Sequence, residues 1–161
     1  MSTKSHLRQP NRELTDAAEI AAILKEGKHA VLAMCNDNEP YIVTLTYGYD
    51  STKNALYFHC GATGHKIQFI KANPRVCATV FQDKGFTPGS CTYTYKSVVM
   101  RGSIAIVECP EEKRHAIETL IDQIWTRATP EDRERATSEK SIAGTTVLRL
   151  DIEDIVGKKG P

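Results

Sequence analysis

Residues 54–74, NALYFHCGATGHKIQFIKANP, join an apolar strand to a glycine turn that opens a helix carrying His65 and Lys66. Leu56, Tyr57 and Phe58 lead to Gly61 and Gly64, and the helix is marked by Ile67 and Ile70 and stopped by Asn73-Pro74. The free N–H groups and positive dipole end of such a helix attract an anion. A lysine in the first turn opposes that dipole in an isolated helix, so Lys66 makes sense opposite an anion such as a phosphate ester. An ordinary glycine turn with exposed charges fits the same residue types equally well. His59 stands just ahead of the turn and by alternation shares a face with Tyr57, not Phe58, so it can point into a cleft. Imidazole titrates near neutrality and suits proton delivery, and a histidine bonded to backbone at a strand end is the competing reading. Beside it, the Cys60 thiol could have its pKa lowered by helix-end amides and Lys66, although free cysteines are more commonly buried filler.

These groups need elements to hold them. A polar arm, residues 1–14, precedes a helix whose Asp16 and Glu19 read as a capping box and whose Ile20, Ile23 and Leu24 form a stripe before Gly27. Strands are expected over His29–Cys35 and, past the Asn36-Asp37-Asn38 turn, over Tyr41–Tyr49. In the second of these Tyr41, Val43, Leu45, Tyr47 and Tyr49 share one face, and Ile42, Thr44, Thr46 and Gly48 share the more polar one. A strand over 75–82, a loop from Gly85 to Gly89 and a long strand over Tyr93–Val107 follow. Pro110 opens a helix with Ile117, Leu120, Ile121 and Ile124 at helical spacing, and Trp125 continues that register, which favours core packing for its ring. Thr129-Pro130 caps a short polar helix; the charged run PEDRERATSEK reads as a solvated helix that can also serve as a lid over the cleft. Thr145–Ile152 alternates as a last strand before a loose tail, 157–161.

The 161 residues suit one domain with a sizeable core. With 21 basic and 20 acidic side chains, composition gives no electrostatic reason to propose nucleic acid or an anionic membrane as partner. No apolar run reaches the ~18 residues of a membrane span, and the N-terminus has no apolar signal region, so a cytoplasmic protein is expected. The five cysteines are odd in number and widely spaced with no CxxC pair, which points to small core residues and to no metal site. His29 and His115 read as surface or strand-end residues. Consecutive strands with helices at the start, after the glycine turn and near the end argue for an α+β, mainly β, antiparallel barrel. A Rossmann arrangement is disfavoured, since the turn lacks GxGxxG.

In order, PYIVTLTYGYD, LYFHCGATGHKIQFIKANPRVCATV and YTYKSVVMRGSIAIVECPEEKR resemble the pyridoxamine 5′-phosphate oxidase-like flavoproteins, most closely their nitroimidazole-resistance branch, over roughly residues 8–158. The resemblance implies a split β-barrel homodimer that binds FMN at the subunit interface. It implies that His65 and Lys66 hold the flavin phosphate, with Gly61, Ala62, Thr63 and Gly64 supplying backbone. It also implies that Val43, Thr44, Leu45, Thr46 and Tyr47 run along the isoalloxazine, that Ser97 and Val98 approach the ring, and that His59 lies near it.

Two positions depart from the branch's usual pattern: Thr44 stands where proline is usual, and Cys60 follows His59 where a small residue is usual. The tail IEDIVGKKGP has no counterpart to the aromatic and arginine residues with which true pyridoxamine 5′-phosphate oxidases bind substrate, so oxidation of vitamin B6 is not expected. The expected function is a dimeric FMN oxidoreductase that passes reducing equivalents from a small-molecule donor to a nitroaromatic- or quinone-like acceptor, with His59 catalytic. The competing class is a flavin carrier without turnover, or a haem-binding split barrel with a histidine as axial ligand.

Overall fold

The structure is a computed structural model that describes residues 9–89 and 92–160. Most of the polar arm, Cys91 and Pro161 lie outside the described residues. Helix α1 (Ala17–Glu26) follows the two-residue strand β1 (Glu13–Leu14), and β2 (His29–Asn36), β3 (Glu39–Asp50) and β4 (Ala55–Cys60) form a meander. Helix α2 (His65–Ala72) leads to the long hairpin of β5 (Arg75–Thr87) and β6 (Thr92–Val107). Helices α3 (Pro110–Ile124), α4 (Pro130–Ala136) and α5 (Glu139–Gly144) precede β7 (Thr146–Lys159). Every strand pairing is antiparallel. The order β7-β4-β3-β2-β5-β6 closes on itself through β6–β7, and β1 adds to the end of β7. The mainly β barrel expected from the sequence is therefore observed, and closure leaves few free edges.

Strand alternation fills the ring. Ala30, Leu32 and Met34 of β2, Leu56 and Phe58 of β4, Val98 and Met100 of β6, and Leu148 and Leu150 of β7 belong to one buried cluster. Tyr47 of β3 is buried too, and its hydroxyl donates to the Leu24 carbonyl at 2.7 Å, anchoring α1. Six positions back on the same strand, roughly 20 Å along it, Tyr41 packs against Phe69 of α2 with ring centroids 5.3 Å apart. Helices α1 and α2 thus plug the ring at well-separated places. Helix α3 lies outside, on β3 and β4: a Cβ at Gly48 would come within 2.8 Å of the Leu120 nitrogen, so glycine lets the helix backbone approach. Gln123 then ties three segments together, accepting from the Tyr49 N–H at 2.7 Å and donating to the carbonyls of Leu24 and Gly27 at 2.9 and 2.6 Å.

Several expectations are corrected. The strand expected over 75–82 runs on to Thr87, because Phe86 and Thr87 pair with Tyr93 and Thr92 across a bulge after Asp83. Gly85, at φ +89, supplies the left-handed residue the bulge needs, and its N–H donates to Asp83 at 2.7 Å. The tail is not loose: Gly157, Lys158 and Lys159 pair with Val98, Ser97 and Lys96, and Leu14 of β1 presses on Gly157 from the other side. Asp16 caps α1 by accepting from Ala18 at 2.8 Å, but Glu19 does not complete a capping box and instead pairs with Lys96 at 2.7 Å. A capping box does form at Thr129 and Asp132 of α4. Of the four described cysteines, Cys60 is half-buried and packs against the core as expected, whereas Cys35 and Cys109 are exposed and Cys77 is half-buried outside the core cluster.

Candidate functional site

The turn after β4 folds as its glycines dictate. Gly64 takes φ +113, a conformation that costs L side chains energy, and an added Cβ there would meet nothing within 4 Å. Gly64 is the N-cap of α2, offers no side-chain cap, and is followed by no acidic residue in the first turn. Gly61, Ala62, Thr63, Gly64 and His65 are exposed, and Lys66 is half-buried. The His65 ring lies edge-on to Tyr41 at 5.1 Å and 5.0 Å from Phe69, so an aromatic trio fixes the start of the helix. Buried Ile67, Phe69 and Ile70 hold α2 to the barrel core. A rigid helix end with no capping side chain, an open glycine and a lysine fits an anionic ester group.

Burial pushes the Cys60 thiol up, and the charge of Lys66 opposes this without overcoming it. The low-pKa thiol considered from sequence is therefore corrected: desolvation by the core outweighs one half-buried ammonium.

The other expected residues divide by face. Val43, Leu45 and Tyr47 turn toward the core cluster, the first two half-buried and Tyr47 fully buried, whereas Thr44 is exposed and Thr46 half-exposed on the outer surface. Val98 is wholly buried, and Ser97 is half-exposed beside Phe81 and Lys158 in the ladder. Ser97 stands on a different strand from the turn: it pairs with Phe81 of β5 and Lys158 of β7, while Cys60 pairs with Thr146. Lys158 and Thr146 stand twelve positions apart on β7.

His59 is exposed, and the wall above it was not legible in the sequence. Together with Ile117, Leu120, Ile121 and Ile124 of α3 it lines a cavity of about 280 Å³. Trp125, at the C-cap of α3, also lines it and is 40% exposed, which corrects the core role expected from helical register. Ala136 of α4, Ser141 of α5 and Thr145 complete the lining. The segment expected as a solvated helix or lid thus comes over the strand end that carries His59. The 117, 121, 125 spacing of Ile117, Ile121 and Trp125 was the available signal, since it puts the indole on the same side of α3 as two cavity isoleucines.

Below α3 a polar cluster secures the helix. Glu112 accepts from Tyr57 at 2.9 Å and from Arg149 at 2.7 Å, and Lys53 donates to Tyr57 at 3.2 Å. Although Glu112 is partly desolvated, these donors hold its carboxyl below the ordinary glutamate range. His115 Nε2 lies 2.7 Å from Asp50 Oδ2. Among the described residues no group of three or more His, Cys, Asp or Glu could hold a metal ion, and no helix is long and apolar enough to cross a membrane.

A family model described as pyridoxamine 5′-phosphate oxidase matches residues 16–159. An uncharacterized protein of Rhizobium meliloti (strain 1021) is 31% identical over 102 residues, 61% of this chain and 62% of that relative. The match therefore spans less than two thirds of the relative's length. Among solved structures, a Bacteroides thetaiotaomicron protein named for 5-nitroimidazole antibiotic resistance superposes with a TM-score of 0.78 at 23% identity, covering 92% of this chain and 86% of its own. An FAD and heme binding protein of Mycobacterium smegmatis gives a TM-score of 0.78 at 19% identity, covering 91% and 72%. An FAD-binding protein of Mesorhizobium loti gives 0.66 at 26% identity, covering 92% and 96%. With its sequence matched from α1 to the end of β7 and its strands closed into the same antiparallel ring, the chain belongs to the pyridoxamine 5′-phosphate oxidase family.

Proposed function

We propose that the protein is a flavin-dependent oxidoreductase, with FMN as its cofactor, that reduces a small nitroaromatic- or quinone-like acceptor. The observation that carries this reading is the glycine turn at 61–64 opening α2 with Lys66 in its first turn and no capping side chain. Backbone N–H groups of that turn and the Lys66 ammonium hold the flavin phosphate, and His65, braced by Tyr41 and Phe69, flanks it. Thr44 and Thr46 offer hydroxyls along the outer face of β3. When bound, the flavin supplies the electrons. His59 supplies a proton to the acceptor, or orients it, from the strand end two residues before the turn. Flavin binding by the FAD-binding proteins of the same fold supports the cofactor class.

The reading includes a homodimer. Ser97 and the Lys66 turn stand on different strands, and the reading takes Ser97 from a second chain. The outer face of β3 and β5, with Ile42 and Phe81 each more than half exposed, is the surface available for that pairing.

Replacing Lys66 by alanine removes a charge-assisted contact worth roughly 1.5–3 kcal/mol, more than tenfold in affinity. Lys66→Ala is expected to weaken FMN binding by that factor in titrations of apo-protein while leaving the thermal transition nearly in place. Unchanged FMN affinity would remove Lys66 from the site. The absorption spectrum of the purified protein separates the alternatives, yellow for flavin and red-brown for haem, the two kinds of group for which the Mycobacterium smegmatis neighbour is named.

A further inference from the structure

We infer that the cavity over His59 is a subsite for an uncharged, planar aromatic ring, selected against anionic analogues and held against Trp125. Its walls are aliphatic side chains of α3 and the indole, and the polar side chains lining it are His59, Ser141, Thr145 and, through its N–H, Trp125. The Thr145 hydroxyl already donates to the Ser141 carbonyl at 2.8 Å. Among the described residues no carboxylate, lysine or arginine lines the space, so above neutral pH, where an imidazole is uncharged, an anionic substituent entering it would lose hydration with no counter-ion to replace it. An engineered apolar cavity of roughly 150 Å³ takes up benzene; about 280 Å³ gives room for a substituted single ring. A flat ring gains most against an aromatic partner, and Trp125 is both aromatic and partly open. Helices α4 and α5 set the far wall through Ala136 and Ser141, so they decide which rings fit.

The inference rests on the flavin reading only for its use in turnover: the ring bound here would be the electron acceptor, presented to His59. Binding itself can be tested without flavin, because Trp125 is the chain's only tryptophan and reports from the cavity wall.

The experiment titrates flavin-free full-length protein with nitrobenzene and with 4-nitrobenzoate, following Trp125 fluorescence. Nitrobenzene is expected to quench along a saturable curve, and 4-nitrobenzoate to bind at least tenfold more weakly. Ala136→Phe, which fills the cavity from α4, is expected to weaken nitrobenzene binding at least tenfold while leaving FMN affinity at the Lys66 turn unchanged. Should that variant fail to fold by circular dichroism, Ser141→Phe fills the same space from α5. Linear, collisional quenching, equal affinity for the anion, or full nitrobenzene affinity in a folded filling variant would each overturn the subsite. Displacement of nitrobenzene by FMN would also overturn it, by making the cavity part of the flavin's own site. Saturable nitrobenzene binding in a protein that takes no FMN would leave the subsite standing and sink the flavin reading alone.

Discussion

At the scale of single residues, position relative to the strand pleat decides what each side chain can do. His59 and Phe58 are neighbours in sequence, yet Phe58 is sealed in the barrel and His59 opens on the cavity under α3. A proton donor there should matter for turnover and little for holding the phosphate at the turn beyond Cys60. His59→Ala is expected to keep FMN bound and to slow reoxidation of reduced protein by a nitroaromatic or quinone by roughly 10²-fold, the low end for a lost acid catalyst. His59→Gln restores a hydrogen bond without the proton, so it should remain slow if proton delivery is the role. Stopped-flow reoxidation rates equal to wild type in both variants would leave His59 as scaffolding. Lys66 shows a related balance: its charge draws the Cys60 thiol down, but burial wins and the thiol is pushed up.

At the scale of elements, α3 is the piece that makes the cavity, and its seat is set by a missing side chain. Gly48 lets the helix backbone at Thr119 and Leu120 come down onto β3. Ala116, Leu120 and Ile121 are buried as a result, and Gln123 bolts the far end to α1 and β3. A methyl at Gly48 would press on backbone atoms 2.8 Å away, which cannot swing aside as a side chain would. Gly48→Ala should therefore cost about 1–3 kcal/mol as overpacking. In a chain of this size each kcal/mol lowers the melting temperature by roughly 2–4 °C. A calorimetric transition identical to wild type would mean that α3 is not held where the structure has it.

At the scale of the whole molecule, the ring puts two parts of the proposed flavin site on different strands. Ser97 lies at the β6–β7 end of the ladder and the phosphate turn at the β4 end, with twelve positions of β7 between their partners. In the proposed dimer, two chains related by a dyad would form two sites, each with Lys66 from one and Ser97 from the other. Mixing a Lys66→Ala variant with a Ser97→Trp variant is then expected to regain part of the FMN binding that each lacks alone, through one intact mixed site. A monomer in sedimentation equilibrium, or no recovery on mixing under conditions that exchange subunits, would defeat the shared site.

The sequence by itself determined what is encoded locally. The strand-turn-helix at 54–74 was legible because its apolar run, paired glycines and Asn-Pro stop each have a local cause, and the two faces of β3 followed from alternation alone. The barrel class followed from consecutive strands with few intervening helices, which the antiparallel ring bears out. Tertiary structure decided the rest, because those features depend on what lies across space. The tail GKKGP carries no strand signal of its own, and Gly157 to Lys159 are ordered because β6 and β1 offer them backbone partners. Glu19 forsakes a capping box because Lys96, distant in sequence, stands nearer to hand. Trp125 obeys the register of α3 yet is not core, because it is the C-cap residue and its side chain lines the cavity wall, partly open to solvent. The cavity over His59 draws on β4, α3, α4, and α5 with its C-cap Thr145, segments between 59 and 145 that only the closed ring and the helix packed upon it bring together.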